Sequence, residues 1–206
     1  MIDTVSAAVK SAASRGKLTA MLGGEHTVTV GAVQAYSDLY EDLSVLYIDA
    51  HADLRESYQG TRWGHASVAR RIYEICPLIL VGIRSVSAEE MNFIKGQGIP
   101  THFWSAQPSD NIRAAVTLTS EHLSDNVYIS IDLDALDPSI MSAVGTPEPG
   151  GMLWHEILAL LRAVSRKANI VGFDIVELSP PEGPAACAFT AAKLTYKLIG
   201  YATQED

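Results

Sequence analysis

The chain has 206 residues, 48% of them apolar and 19% charged, with a formal charge of −9 at neutral pH. That length suffices for one domain with a sizeable core, and the acidity argues against a phosphate-backbone partner while suiting bound divalent cations. No apolar segment can span a bilayer, the N-terminus lacks a signal-peptide layout, and Cys76 and Cys187 have no metal or redox spacing, so we expect a single cytoplasmic domain over 1–206 with reduced thiols, no nucleic-acid partner and no membrane.

Val5, Ala8, Val9 and Ala12 recur at helical spacing and predict a helix over 2–14, ended by Gly16. LTAML at 18–22 reads as a strand, and Gly23 and Gly24 permit a tight turn before a helix over 27–40. His26 thus stands at a strand-to-helix junction, where α/β folds place ligands, although a histidine there more often only closes a turn. LSVLYI at 43–48 is short, apolar and rich in β-branched and aromatic residues, the mark of a buried strand. It runs into Asp49, Ala50, His51, Ala52 and Asp53. Strand alternation would put Asp49, His51 and Asp53 on one face and the two alanines on the other. Two carboxylates and an imidazole together suit Mn²⁺, Zn²⁺ or Fe²⁺. The bland alternative is a polar strand-to-loop junction.

After a polar loop over 54–63, His65 opens a helix expected to reach residue 75. An imidazole ordinarily titrates near neutrality, so His65 is a candidate general acid or base, set against a local hydrogen-bonding role. LILVGI at 78–83 reads as a buried parallel strand, followed by a helix over 88–97 and a short strand over 99–104 with a structural His102. A helix over 110–123 carries His122 where the helix dipole favours it. VYISI at 127–131 leads into Asp132 and Asp134, a second carboxylate pair expected on one strand face. Two such pairs converging would repel strongly without cations between them. Asp137 precedes Pro138 and reads as a turn residue, and the stretch over 142–151, rich in Pro and Gly, reads as a fixed pocket wall. A helix over 153–166, a last strand over 170–177 ending at Glu177, and a helix over 185–201 close the pattern. Strands alternating with helices predict a three-layer α/β/α fold around a mostly parallel sheet, with its functional residues at the C-terminal strand ends.

GGEH at 23–26, DAHAD at 49–53, GHAS at 64–67, SIDLDALDP at 130–138, GTPEPGG at 145–151 and DIVELSPP at 174–181 occur in that order. Together they resemble the ureohydrolases, the arginase/agmatinase family, in wording closer to agmatinase than to arginase. The resemblance implies an arginase-like fold and two Mn²⁺ ions per chain. His26 and Asp53 would hold one ion, His51 and Asp134 the other, with Asp49 and Asp132 bridging. A hydroxide between the ions would attack a guanidinium carbon and release urea and an amine. His65 matches the family's acid/base histidine. Glu177 matches its guanidinium-orienting carboxylate, where a bidentate charge-assisted contact suits the planar group.

The implied partner is a small cationic guanidino substrate, agmatine first, with guanidinobutyrate and formiminoglutamate as alternatives. The implied assembly is a homo-oligomer. A weakly active or non-catalytic metal-binding homologue is the other reading. Deacetylase relatives with one zinc are disfavoured by His26 and the complete DAHAD. The family's sheet order is 2-1-3-8-7-4-5-6, and this sequence starts at the helix before the third strand. About six contiguous strands are therefore expected, with 18–22 as an apolar edge open to self-association.

Overall fold

The computed structural model describes residues 1–105 and 110–204. Six strands form one parallel sheet: β1 Thr19–Leu22, β2 Leu43–Ile48, β3 Leu78–Ile83, β4 Thr101–Phe103, β5 Asn126–Asp132 and β6 Asn169–Val176. Their spatial order is β1-β6-β5-β2-β3-β4, the contiguous order that the resemblance implies. The helices are α1 Ile2–Ala13, α2 Val28–Ser37, α3 Val68–Tyr73, α4 Ala88–Gln97, α5 Asn111–His122, α6 Trp154–Ser165 and α7 Ala185–Ala202. None of them is long and apolar enough to cross a membrane.

Alternation in the strands divides the core into two layers. Val45 and Tyr47 of β2 pack with Val30 and Tyr36 of α2 and Ile72 of α3 on one face. Leu46 and Ile48 pack with Leu160 of α6 and Leu194 of α7 on the other. β2 and β3 are buried at every position, which is why they read as unbroken apolar runs.

The connections leave β2 and β5 in opposite directions. β2 continues to β3 through α3 on one face, and β5 continues to β6 through α6 on the other. The β2/β5 border is therefore a topological switch point, where a crevice opens beyond the carboxyl ends of the strands. β2 and β5 pair from Leu43↔Asn126 to Ile48↔Ile131, so Asp49 and Asp132 come next in line.

Several boundaries differ from expectation, and α2 for one ends at Ser37 rather than at residue 40. The segment after His65 begins as a 3-10 turn, His65–Ser67, without a side-chain cap, and α3 then runs only to Tyr73. β4 has only β3 as a neighbour and shrinks to three residues. β6 stops at Val176, because Glu177 takes a left-handed conformation with φ 65°. Cys76 and Cys187 are free thiols, as expected, and burial pushes the Cys76 thiol up to about 12.

Gly172 of β6 is a close-approach position. A Cβ there would collide with the Tyr36 hydroxyl, so the glycine makes room for an aromatic ring that also packs on Tyr128. Gly172→Ala should destabilise the protein by about 1–3 kcal/mol through overpacking, read as a lower urea midpoint with an unchanged slope.

Candidate metal centre

Asp49, His51 and Asp53 do meet, but not as one strand face. β2 ends at Ile48, His51 makes only an isolated parallel bridge to Ser85, and Asp53 has φ 50°. The chain leaves the sheet here and curls, with Asp49 N bonded to Val81 O and with Arg84 N and Ser85 N bonded to Ala50 O. Gly82 permits this, since a Cβ on it would lie 2.8 Å from the Asp49 carbonyl. The second pair departs from strand alternation in the same way. Asp132 ends β5, and Asp134 sits in the 3-10 turn Leu133–Ala135, whose Asp134 N–H donates to Asp132 Oδ1 at 2.8 Å.

The result is a buried acidic cluster threaded by two imidazoles. His26 Nδ1 lies 3.2 Å from Asp132 Oδ2, 3.3 Å from Asp49 Oδ2 and 3.8 Å from Asp53 Oδ2. His51 Nδ1 lies 2.9 Å from Asp134 Oδ2 and 3.6 Å from Asp49 Oδ1. Two groups have donor atoms close enough to share a metal ion, His26/Asp49/Asp132 and Asp49/His51/Asp134, and they overlap at Asp49. Asp53 stands at the margin of the first group, its Oδ2 accepting from Tyr47 OH at 2.7 Å.

Burial and charge set the protonation of this cluster. Burial and the Asp134 and Asp49 charges push Asp132 well above the usual carboxylate range, against the pull of His26. Burial and the Asp49 charge push Asp53 and Asp134 the same way. Burial also opposes the charged form of Asp49, yet hydrogen bonds and charge from His26 and His51 hold it below its ordinary value. His26 is raised well above a normal histidine, because hydrogen bonds to Asp132 and Asp49 exceed the effect of its burial. His51 rises to about 11, its burial overcome by Asp134 and Asp49.

This donor set fits divalent cations. Asp49 Oδ2 is buried and, among the described residues, has no well-aligned hydrogen bond, with His26 Nδ1 standing off at 3.3 Å. Four buried carboxylates face only two imidazoles, and a buried charge without compensation is unfavourable by several kcal/mol. A cation between Asp49 and each histidine would satisfy the orphaned oxygen and the charge together.

A cleft of about 540 Å³ opens onto the cluster, with His65, Glu177, Tyr58 and Thr146 among its walls. Glu177 Oε1 accepts from the His26 N–H at 2.6 Å, and burial raises its carboxyl above its ordinary value, partly offset by that bond. The His65 side chain is 56% exposed, with Nδ1 3.9 Å from Glu25 Oε1 and its ring edge-on to Tyr58. Asp137 anchors the wall over 142–151 by accepting from Gly150 N and Gly151 N. All eight candidate residues named from the sequence thus lie at or beyond the C-terminal ends of the strands. His102, His122 and His155 stand outside it; His102 packs edge-on to Trp104.

A model of the arginase family matches residues 1–200. The chain belongs to the arginase family. An N(1)-aminopropylagmatine ureohydrolase of Thermus thermophilus is 42% identical over 191 residues, covering 90% of this chain and 62% of the relative. One from Synechocystis is 36% identical over 203 residues, covering 98% and 66%. An agmatinase of Pyrococcus horikoshii is 40% identical over 184 residues, covering 89% and 62%. This arginase-family chain therefore spans somewhat less than two thirds of the length of those relatives. Among solved structures, the agmatine ureohydrolase of Thermoplasma volcanium superposes with a TM-score of 0.87 at 39% identity, covering 98% of this chain and 68% of that one. An arginase from Bacillus cereus shares the fold, with a TM-score of 0.85 at 24% identity.

Sequence reasoning passed over Arg84, Tyr47, Ser130 and Asp174. Arg84 Nη2 donates to Asp134 O and to Glu148 O, both at 2.7 Å, and ties the second acidic turn to the pocket wall. Its signal was a lone arginine directly after an apolar strand; that of Ser130 and Asp174 was a polar residue inside one.

The metal-free protein should show a definite pH trend. His51 is raised in the folded state to about 11, so its contribution is complete below the ordinary histidine value near 6.5 and is lost as pH rises towards 11. Chelator-treated protein should thus lose stability steadily between pH 7 and 9 in urea titrations, and His51→Gln should flatten that slope.

Proposed function

We propose that this chain is a binuclear metal-dependent hydrolase of a guanidino compound, with Mn²⁺ as the working cation. The reading is carried by the two overlapping ligand groups that share Asp49. His26, Asp49, Asp53 and Asp132 would hold one cation, and Asp49, His51, Asp132 and Asp134 the other. Manganese suits a set in which carboxylate oxygens outnumber imidazole nitrogens. Two divalent cations so held supply a hydroxide nucleophile from water at neutral pH.

The remaining work falls to Glu177 and His65. Glu177 Oε1 is tied to the His26 amide, which leaves Oε2 to accept guanidinium N–H groups and to aim the central carbon at the cluster. His65, on the wall beside Glu25 and Tyr58, holds a proton on its imidazole and gives it to the leaving amine. The acidic cluster and Glu177 favour a cationic substrate. The names of the relatives favour agmatine or N(1)-aminopropylagmatine. Membership of all six strands in one sheet supports a single domain over 1–206. The edge position of β1, with Leu22 70% exposed, supports self-association, which light scattering reads directly.

Urea release with Mn²⁺ present, measured across agmatine, N(1)-aminopropylagmatine and guanidinobutyrate, tests the reaction. Turnover of at least one is expected, and no urea from any of them by protein carrying two ions would overturn the hydrolase reading. Metal analysis should find about two equivalents in the parent, and Asp49→Asn should lose both, since that carboxylate serves both groups. His65→Ala should keep its metal while turnover falls roughly 10²–10⁴-fold. Glu177→Gln preserves an acceptor for the His26 amide and should instead raise KM for the guanidinium.

A further inference from the structure

Behind the carboxylate cluster lies a second polar row, inside the sheet. Tyr47 of β2, Ser130 of β5 and Asp174 of β6 are neighbours in register, and all three are fully buried. Ser130 Oγ donates to Asp174 Oδ1 at 2.7 Å, and Tyr128 OH donates to Asp174 Oδ2 at 2.8 Å. A hydroxyl has one proton to give. Ser130, having given its own to Asp174, accepts at the His26 Nε2 contact of 2.8 Å. His26 Nε2 is therefore the protonated nitrogen of that contact. Nδ1 is turned towards Asp49 and Asp132 and lies 3.0 Å from the Tyr47 hydroxyl, which has given its own proton to Asp53, so in the metal-free chain Nδ1 is protonated as well and is the nitrogen whose proton a cation would replace. The ring is clamped from its face as well, since Tyr47 stacks on it at 4.6 Å with the planes 3° apart.

A carboxylate within a parallel sheet is an expensive way to fill space. An apolar residue of similar size would pack at Asp174 without the desolvation penalty. What Asp174 adds is an acceptor that obliges Ser130 to face one way. Metal-ligating histidines generally have their other ring N–H held by such an acceptor, and losing it weakens the metal.

We propose that Asp174, acting through Ser130, is the positioning residue that fixes the tautomer and rotation of His26, so that Nδ1 presents its lone pair to a cation between Asp49 and Asp132. The inference rests on the metal reading given above. Among the described residues the other imidazole lacks this device: His51 Nε2 lies 3.6 Å from Glu148 Oε1, a carboxylate whose side chain is 38% exposed. Breaking the relay should therefore weaken one ion of the two.

The test is Mn²⁺ titration followed by electron paramagnetic resonance on the parent, Asp174→Asn, Ser130→Ala and Ile129→Val. Ile129 lies in the core layer on the opposite face, and its truncation perturbs packing without touching the relay. The parent should take up two ions that give a spin-coupled pair signal. In both relay variants one ion should bind roughly 10–100-fold more weakly, leaving a lone-ion signal at intermediate Mn²⁺ while the other ion binds as in the parent. Ile129→Val should keep the pair. Should Asp174→Asn fail to fold, Ser130→Ala, which removes a single hydroxyl, decides the matter. Parent-like affinity for both ions in the relay variants, or an equal loss in Ile129→Val, would overturn the positioning role. A parent that never binds a second ion would instead sink the metal reading, and the relay with it.

Discussion

Four carboxylates held out of water at one strand junction are the constraint on which this structure depends. Asp49, Asp53, Asp132 and Asp134 are all buried, on turns that leave adjacent strands. Two like charges 4 Å apart repel by about 4 kcal/mol at an effective dielectric near 20. Four cannot be ionised together unless positive charge stands among them. In the metal-free chain His26 and His51 supply it inside the cluster, with Arg84 behind Asp134, and both imidazoles are driven up while three of the carboxylates are pushed towards their neutral forms. The cluster is built to suit cations, and the chemistry proposed for it follows from that.

The fold spends its local irregularities on holding this arrangement. Of the three residues other than glycine with positive φ among those described, Asp53 and Glu177 both line the cleft. Such backbone costs roughly 1–3 kcal/mol per residue and persists only where its surroundings enforce it. The surroundings here are main-chain bonds: Ala50 N to Asp134 Oδ1, His51 N to Asp49 Oδ1, and Leu54 N to Glu90 Oε1. The first and third tie the curl after β2 to neighbouring elements, and the second closes the curl on itself. Glu90 also completes the capping box of α4 with Ser87, so one buried carboxylate starts a helix and fixes the loop beside the cluster.

Much of this was legible in the sequence, for physical reasons that differ between elements. β2 and β3 are covered on both faces, so their apolar runs mark them without ambiguity. The acidic residues were conspicuous because carboxylates rarely follow a buried strand in pairs without a partner. What periodicity could not deliver was how they converge. A period of two put Asp49, His51 and Asp53 on one strand face, whereas the chain has already left the sheet and Asp53 meets the cluster through a left-handed turn. Ser130 and Asp174 were quoted within motifs yet given no role, because a lone polar residue in a strand has meaning only through its cross-strand neighbour. That neighbour is fixed by the register between β5 and β6, which includes an irregularity between Val127 and Tyr128 that no local pattern foretells.

Accessibility divides the site into an inner and an outer part. His26, Asp49, Asp132 and Asp134 are almost wholly enclosed, whereas the side chains of His51 and His65 are 25% and 56% exposed. A molecule entering the cleft therefore meets His65, Glu177 and the open side of His51 before anything else. The enclosed groups have no freedom to follow it, since each is pinned by at least one main-chain or buried side-chain bond. Charge stabilisation is strongest where water is excluded and dipoles are fixed beforehand. A proton donor must lie within hydrogen-bond reach of the leaving group, and an exposed imidazole can take up a fresh proton from water. For the proposed reaction, the enclosed charge cluster at the β2/β5 border and the exposed His65 imidazole on the cleft wall would divide the work between them within one cleft.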